Sequence, residues 1–217
     1  MGFKLKTLSA LVLILITGAG LTLAQADGRN ITAITIFVYN DAHVSHSELA
    51  AAERQASLVF REARVPIAWL NCVDNRKMSE DCHRRLQPNE FVVRIVPKGQ
   101  TSSDLVFGVA FLAEDGSGKY SDDFFDRIES TRHEEGSSIA SLLSAVTAHE
   151  VGHLLLGSHA HSPLGIMAPL WTQADLRRIG MGALRFTPDQ SSRMRERIQE
   201  WQTHADTVRL ANVRRID

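Results

Sequence analysis

The sequence predicts an α+β domain whose first half alternates strand and helix in the α/β manner and whose second half is rich in helix. Two observations carry this expectation. Short β-branched runs are separated by a long segment of helical periodicity, and an apolar stripe beginning near residue 139 recurs with helical spacing until a glycine stops it. The 217 residues contain no internal repeat and no low-complexity tract, and the length suits one well-buried domain.

Taken in order, Ile31 to Tyr39 is rich in β-branched residues and reads as a first strand. Ser45 or Ser47 can cap a helix in which Leu49, Ala52, Ala56, Leu58, Val59 and Ala63 recur with helical spacing, and Pro66 breaks it. Ile67 to Cys72 is a second strand, Val73 to Pro88 a polar loop, and Phe91 to Val96 a third strand. Leu105 to Leu112 reads as a fourth strand in which Gly108 would let another backbone come close. After an acidic turn, Tyr120 to Ile128 reads as a fifth strand, although adjacent aspartates are uncommon in strands. From Ser137 or Ser138 the pattern is helical again, with Ile139, Leu142, Leu143 and Val146 on one face and Gly157 as the stop. A last helix opens at Thr187-Pro188-Asp189-Gln190. Thr187 caps it, Pro188 takes the first helical position and Gln190 the capping-box position.

The N-terminal stretch is expected not to belong to the working domain. Lys4 and Lys6 precede an apolar run from Leu8 to about Leu23, which ends in Leu23-Ala24-Gln25-Ala26, a small-x-small cleavage pattern. Residues 1–26 read as a signal peptide and residues 27–217 as a single domain, secreted or periplasmic, with no membrane insertion once the leader is removed. An uncleaved N-terminal anchor is the alternative. In an exported chain the only two cysteines, Cys72 and Cys82, are expected to form a disulfide that pins a surface loop. With 24 basic and 25 acidic residues, the chain lacks the positive field of a nucleic-acid binder.

The segment with the most chemistry is Ala148 to Pro169, AHEVGHLLLGSHAHSPLGIMAP. Residues four apart on a helix share a face, so His149 and His153 can offer imidazole nitrogens to one ion. Glu150 lies one step round, beside the ion's open position, where it can take a proton from water and return it to a leaving amine. HExxH of this kind points to one Zn2+ and to hydrolysis, with a peptide or protein as substrate.

This segment resembles the metzincin clan of zinc peptidases, whose pattern is HExxHxxGxxH followed by a methionine turn, and short exported bacterial proteins with HExGHxLLG, then HS, then GIM. The resemblance implies a zincin-type fold: a mostly parallel sheet of about five strands packed on helices, an active-site helix, a methionine turn at Met167 and a C-terminal helix. It also implies that Phe107, Gly108, Val109 and Ala110 form the edge along which an extended substrate lies, and that residues between Ala168 and Phe186, with Trp171 and Gly180-Met181-Gly182, build the specificity pocket. One departure bears on the third ligand. The family glycine would fall at position 156, but Leu156 stands there and Gly157 follows. A helix that ends one residue late needs a longer return, which favours His161 as third ligand, with His159 as the alternative. Two other readings remain: a gluzincin with Glu196 or Glu200 as the distant ligand, and a zinc-binding domain without catalysis.

Overall fold

The computed structural model describes residues 31–72, 80–101, 103, 105–135, 137–157 and 160–213. Residues 1–26, read above as a signal peptide, residues 73–79 of the expected polar loop and His159 lie outside the described residues. Five strands form one sheet: β1 Ile34–Asn40, β2 Ile67–Asn71, β3 Glu90–Val96, β4 Gly108–Leu112 and β5 Gly118–Phe124. Their order is β2-β1-β3-β5-β4, with β4 alone antiparallel, paired to β5 at one edge. Five α-helices accompany it among the described residues: α1 His46–Glu62, α2 Phe125–Glu135, α3 Ile139–Leu156, α4 Gln173–Gly180 and α5 Pro188–Val213. The coarse expectation, an α+β fold on a five-stranded, mostly parallel sheet, agrees with this arrangement.

Period-2 alternation sorts the strands onto two faces. Ile34, Ile36 and Val38 of β1 and Phe91, Val93 and Ile95 of β3 join Leu49, Ala52, Val59 and Phe60 of α1 and the apolar residues of α3 in one buried cluster. The other face carries Phe37, Tyr39, Val92, Arg94, Phe111, Tyr120 and Asp122, lining a cleft with Cys82, Arg84 and Leu86. Two bidentate ion pairs border it: Arg84 with Glu90 at 2.7 and 2.6 Å, and Arg94 with Asp122 at 2.9 and 2.7 Å.

The helix ends follow their residues. Ser45 Oγ accepts from Glu48 N–H, and α1 closes at Ala63, before Arg64 with φ 58°. Ser138 Oγ accepts from Ser141 N–H at 3.0 Å to start α3, and Gly157, with φ 75°, ends it. α3 is as long and apolar as a membrane span, and it is buried inside the fold against α1, α2, α4, α5 and the β4–β5 edge.

Two expectations need correction. The strand read from Tyr120 to Ile128 ends at Phe124, and α2 begins at once. Ile128 is fully buried one turn into a helix, and the Asp126 carboxylate accepts from Gly99 N–H at 3.0 Å at its start. The strand read from Leu105 begins only at Gly108, although Phe107 already offers its carbonyl to Phe124 N–H at 2.7 Å. α4 was not foreseen, yet Thr172 and Asp175 form a reciprocal capping box at its start.

Cys72 and Cys82 are joined, with Cα atoms 5.6 Å apart. Closing so short a loop removes about 3 kcal/mol of unfolded-state entropy at best. Replacing both cysteines by alanine should therefore lower unfolding free energy by at most about 3 kcal/mol while the chain stays folded. Urea titration followed by circular dichroism checks this; an unfolded double variant would show that the bridge defines the fold.

Candidate metal centre

α3 places His149 and His153 on one face, and the segment from Ala160 brings His161 against them. His153 Nε2 lies 3.1 Å from both His149 Nε2 and His161 Nε2. One nitrogen from each ring falls within a mutual 4.8 Å, the only such His, Cys, Asp or Glu group of three found among the described residues. These separations are close to the roughly 3.3 Å between nitrogen ligands of a tetrahedral ion about 2.0 Å away.

The donor chemistry fits a cation as well as the distances do. His149 Nδ1 donates to the Ile166 carbonyl at 2.7 Å, so its Nε2 is a bare lone pair. Trp171 Nε1 donates to the same carbonyl at 3.2 Å, and its ring stands edge-on to His149. Burial, outweighing the Ile166 carbonyl, pushes the His149 imidazole down to about 4. Burial, reinforced by His149 and His161, pushes His153 down to about 3. His161 is lowered by burial as well. Three neutral imidazoles meeting at one point can each turn a lone pair to a shared cation, a group that can hold a metal ion.

Two glycines make room for the site. A Cβ at Gly152 would stand 2.5 Å from Met167 Sδ and 3.0 Å from Phe186, so only glycine lets Met167 pack directly beneath the helix between the two histidines. Met167 itself is fully buried in the tight turn closed by Ala168 N–H to Gly165 O at 3.2 Å. On the other side, a Cβ at Gly108 would stand 2.8 Å from the Asp122 carbonyl and from Glu150 Cγ and Oε1.

Glu150 is 5 % exposed. Burial raises its carboxyl well above the usual range, Asp123 raises it further, and the Ala110 N–H donates to it and acts the other way. The cleft beside it, about 450 Å³, is lined by Leu105 to Ala110, His149, Glu150, His153, His161 and Trp171. Phe107 stacks on Trp171 with ring centres 5.7 Å apart. Gly180, Met181 and Gly182 line a separate cavity of about 310 Å³ with Ser141, Ser144 and Ile166. Glu196 and Glu200 are exposed on α5 and take no part in the histidine group, Glu196 instead accepting from Ser192 Oγ.

Sequence reasoning missed Asp123. It is fully buried, accepts from Thr147 Oγ1 at 2.6 Å, and leaves Oδ1 without a partner among the described residues. Its burial pushes the carboxyl up to about 7, against the Thr147 bond and with help from Asp122. The signal was the paired aspartates of β5: alternation sends Asp122 out to Arg94 and Asp123 inward beneath α3.

Neither a family model nor a curated protein matches the chain.

Gly108→Ala should cost about 1–3 kcal/mol, because the Asp122 backbone carbonyl cannot give way; urea denaturation reads it, and a stability equal to the parent would mean that β4 shifts freely. For Asp123, a folded pKa near 7 lies above the ordinary carboxylate value, so the native chain favours the protonated acid. Its contribution is complete below about pH 4 and is lost as pH rises towards 7. Asp123→Asn in the metal-free chain should thus gain stability relative to the parent as pH rises through that window. An offset equal at pH 4 and pH 8 would count against a raised pKa.

Proposed function

We propose that the chain is an exported zinc-dependent peptidase, with His149, His153 and His161 as zinc ligands and Glu150 as general base. The observation that carries this reading is the meeting of three imidazole nitrogens at one point beside a buried glutamate, in a cleft along a free strand edge. Three nitrogen ligands with a fourth position facing a cleft are the arrangement of a catalytic rather than a closed structural zinc site.

Zinc, when bound, supplies Lewis acidity that polarises a carbonyl and acidifies water. The rest falls to the chain. Glu150, held by the Ala110 N–H, takes a proton from the attacking water on its carboxylate and passes it to the amine nitrogen as the C–N bond breaks. Its raised proton affinity suits both halves of that transfer. The Ile166 carbonyl keeps the His149 ring in the tautomer that presents Nε2.

β4 supports an extended substrate. Because Phe107 pairs with Phe124, the antiparallel ladder uses Val109 and Phe111, which turns the N–H and C=O of Gly108 and the C=O of Ala110 towards the outer edge, the Ala110 N–H being taken by Glu150. A peptide laid antiparallel there gains main-chain hydrogen bonds beside the histidine group.

Zinc content by atomic absorption, measured with chelator-sensitive casein hydrolysis, tests the reading. One zinc per chain is expected, lost in His149→Ala, His153→Ala and His161→Ala and kept in His159→Ala. Glu150→Gln should keep its zinc and lose hydrolysis by about 10²–10⁴-fold. A wild-type chain, purified without chelator, that holds no zinc and takes none up would sink the metal reading. A zinc-loaded chain with no hydrolysis to lose would leave a zinc-binding domain without catalysis.

A further inference from the structure

Two of the three imidazoles ride on a buried helix, whereas His161 is exposed on a loop. How well the three nitrogens meet therefore depends on what holds that loop. The hold comes from Gln190, 3 % exposed at the third position of α5. Its Oε1 accepts from Thr187 N–H at 2.9 Å, and its Nε2 donates to the Ala160 carbonyl and to Ser162 Oγ, each at 3.0 Å. Ala160 and Ser162 are the two neighbours of His161 in the chain. The amide cannot be turned over, since the Thr187 N–H can only donate and the Ala160 carbonyl can only accept. Ser162 Oγ in turn donates to the Leu164 carbonyl at 2.8 Å, and Ser162 N–H to the Met167 carbonyl at 3.0 Å. The donors thus run in one direction, from the start of α5 to the turn under His149.

We propose that Gln190 is a positioning residue of the metal centre, holding His161 by binding the Ala160 carbonyl before it and the Ser162 hydroxyl after it. The inference rests on the zinc reading above. Helix capping alone does not account for Gln190. That role needs an acceptor at the third helical position, which glutamate supplies as well, whereas the clamp uses both amide hydrogens. Gln190→Glu keeps the cap and sets an oxygen against the Ala160 carbonyl and Ser162 hydroxyl oxygens.

The experiment is zinc affinity, by competition with a chromophoric chelator, for the wild type, Gln190→Glu and Gln190→Ala, each with and without His161→Ala. Thermal midpoints of the metal-free chains and visible spectra of the cobalt-loaded ones accompany it. Both Gln190 variants should weaken zinc binding about tenfold. That loss should vanish when His161 is already absent, because the side chain through which Gln190 acts is gone. The cobalt spectrum of Gln190→Glu should move towards that of His161→Ala while its metal-free midpoint stays near the parent's. If Gln190→Glu does not fold, Gln190→Ala carries the same comparison. Unchanged zinc affinity, or a loss of equal size with and without His161, overturns the proposal and marks Gln190 as a support of the fold alone. A wild type that binds no zinc, or whose affinity ignores His161→Ala, overturns the ligand reading itself and this inference with it.

Discussion

Because α3 is covered by the sheet edge and by four other helices, the two imidazoles and the carboxyl group it carries have to be accommodated inside the core. A buried polar group costs free energy unless it is hydrogen-bonded, so each of these side chains needs a partner brought by another element. The Ile166 carbonyl takes the His149 ring, the Ala110 N–H takes Glu150, and Asp123 takes Thr147 one turn earlier on the same helix. The loop after α3, the edge strand and β5 are located by these demands as much as by apolar contact. Gly108 and Gly152 are the residues that let two of those elements come close enough.

The same burial acts on charge. It lowers the proton affinity of the imidazoles and raises that of Glu150 and Asp123, so every titratable group around the cleft is pushed towards its uncharged form. For the imidazoles this removes a step. At neutral pH no proton would have to leave before a cation took the lone pairs.

Much of this was legible in the sequence. β-branched runs located β1, β2 and β3, helical periodicity located α1 and α3, and the capping residues from Thr187 to Gln190 located the start of α5. His149, Glu150 and His153 follow from helical spacing alone, and Cys72 with Cys82 from their number and separation. What escaped has a common cause: it depends on partners distant in sequence. The end of β5 at Phe124 is set where Phe125 and Ile128 turn to pack beside α3, although the run of residues still has strand character. Asp123 was legible only as one of two adjacent aspartates uncommon in a strand, and the sheet register shows which of them points inward. Gln190 was legible as a cap, but its amide hydrogens reach residues about thirty positions earlier. His161 could be preferred over its neighbour by counting residues. Its meeting with the other rings needed the return path of the loop.

β4 leaves the outer N–H and C=O of Gly108 and the C=O of Ala110 unused by the sheet, and such an open edge is also a template for a second copy of the same chain. The register shift between Phe111 and Leu112 breaks that template after a few residues. Beyond the break the edge no longer runs straight, so two chains meeting edge to edge could form only a short ladder. Short ladders repay little of the entropy lost on association. The irregularity therefore works against growth of a fibre, because a folded neighbour gains too little from so short a ladder.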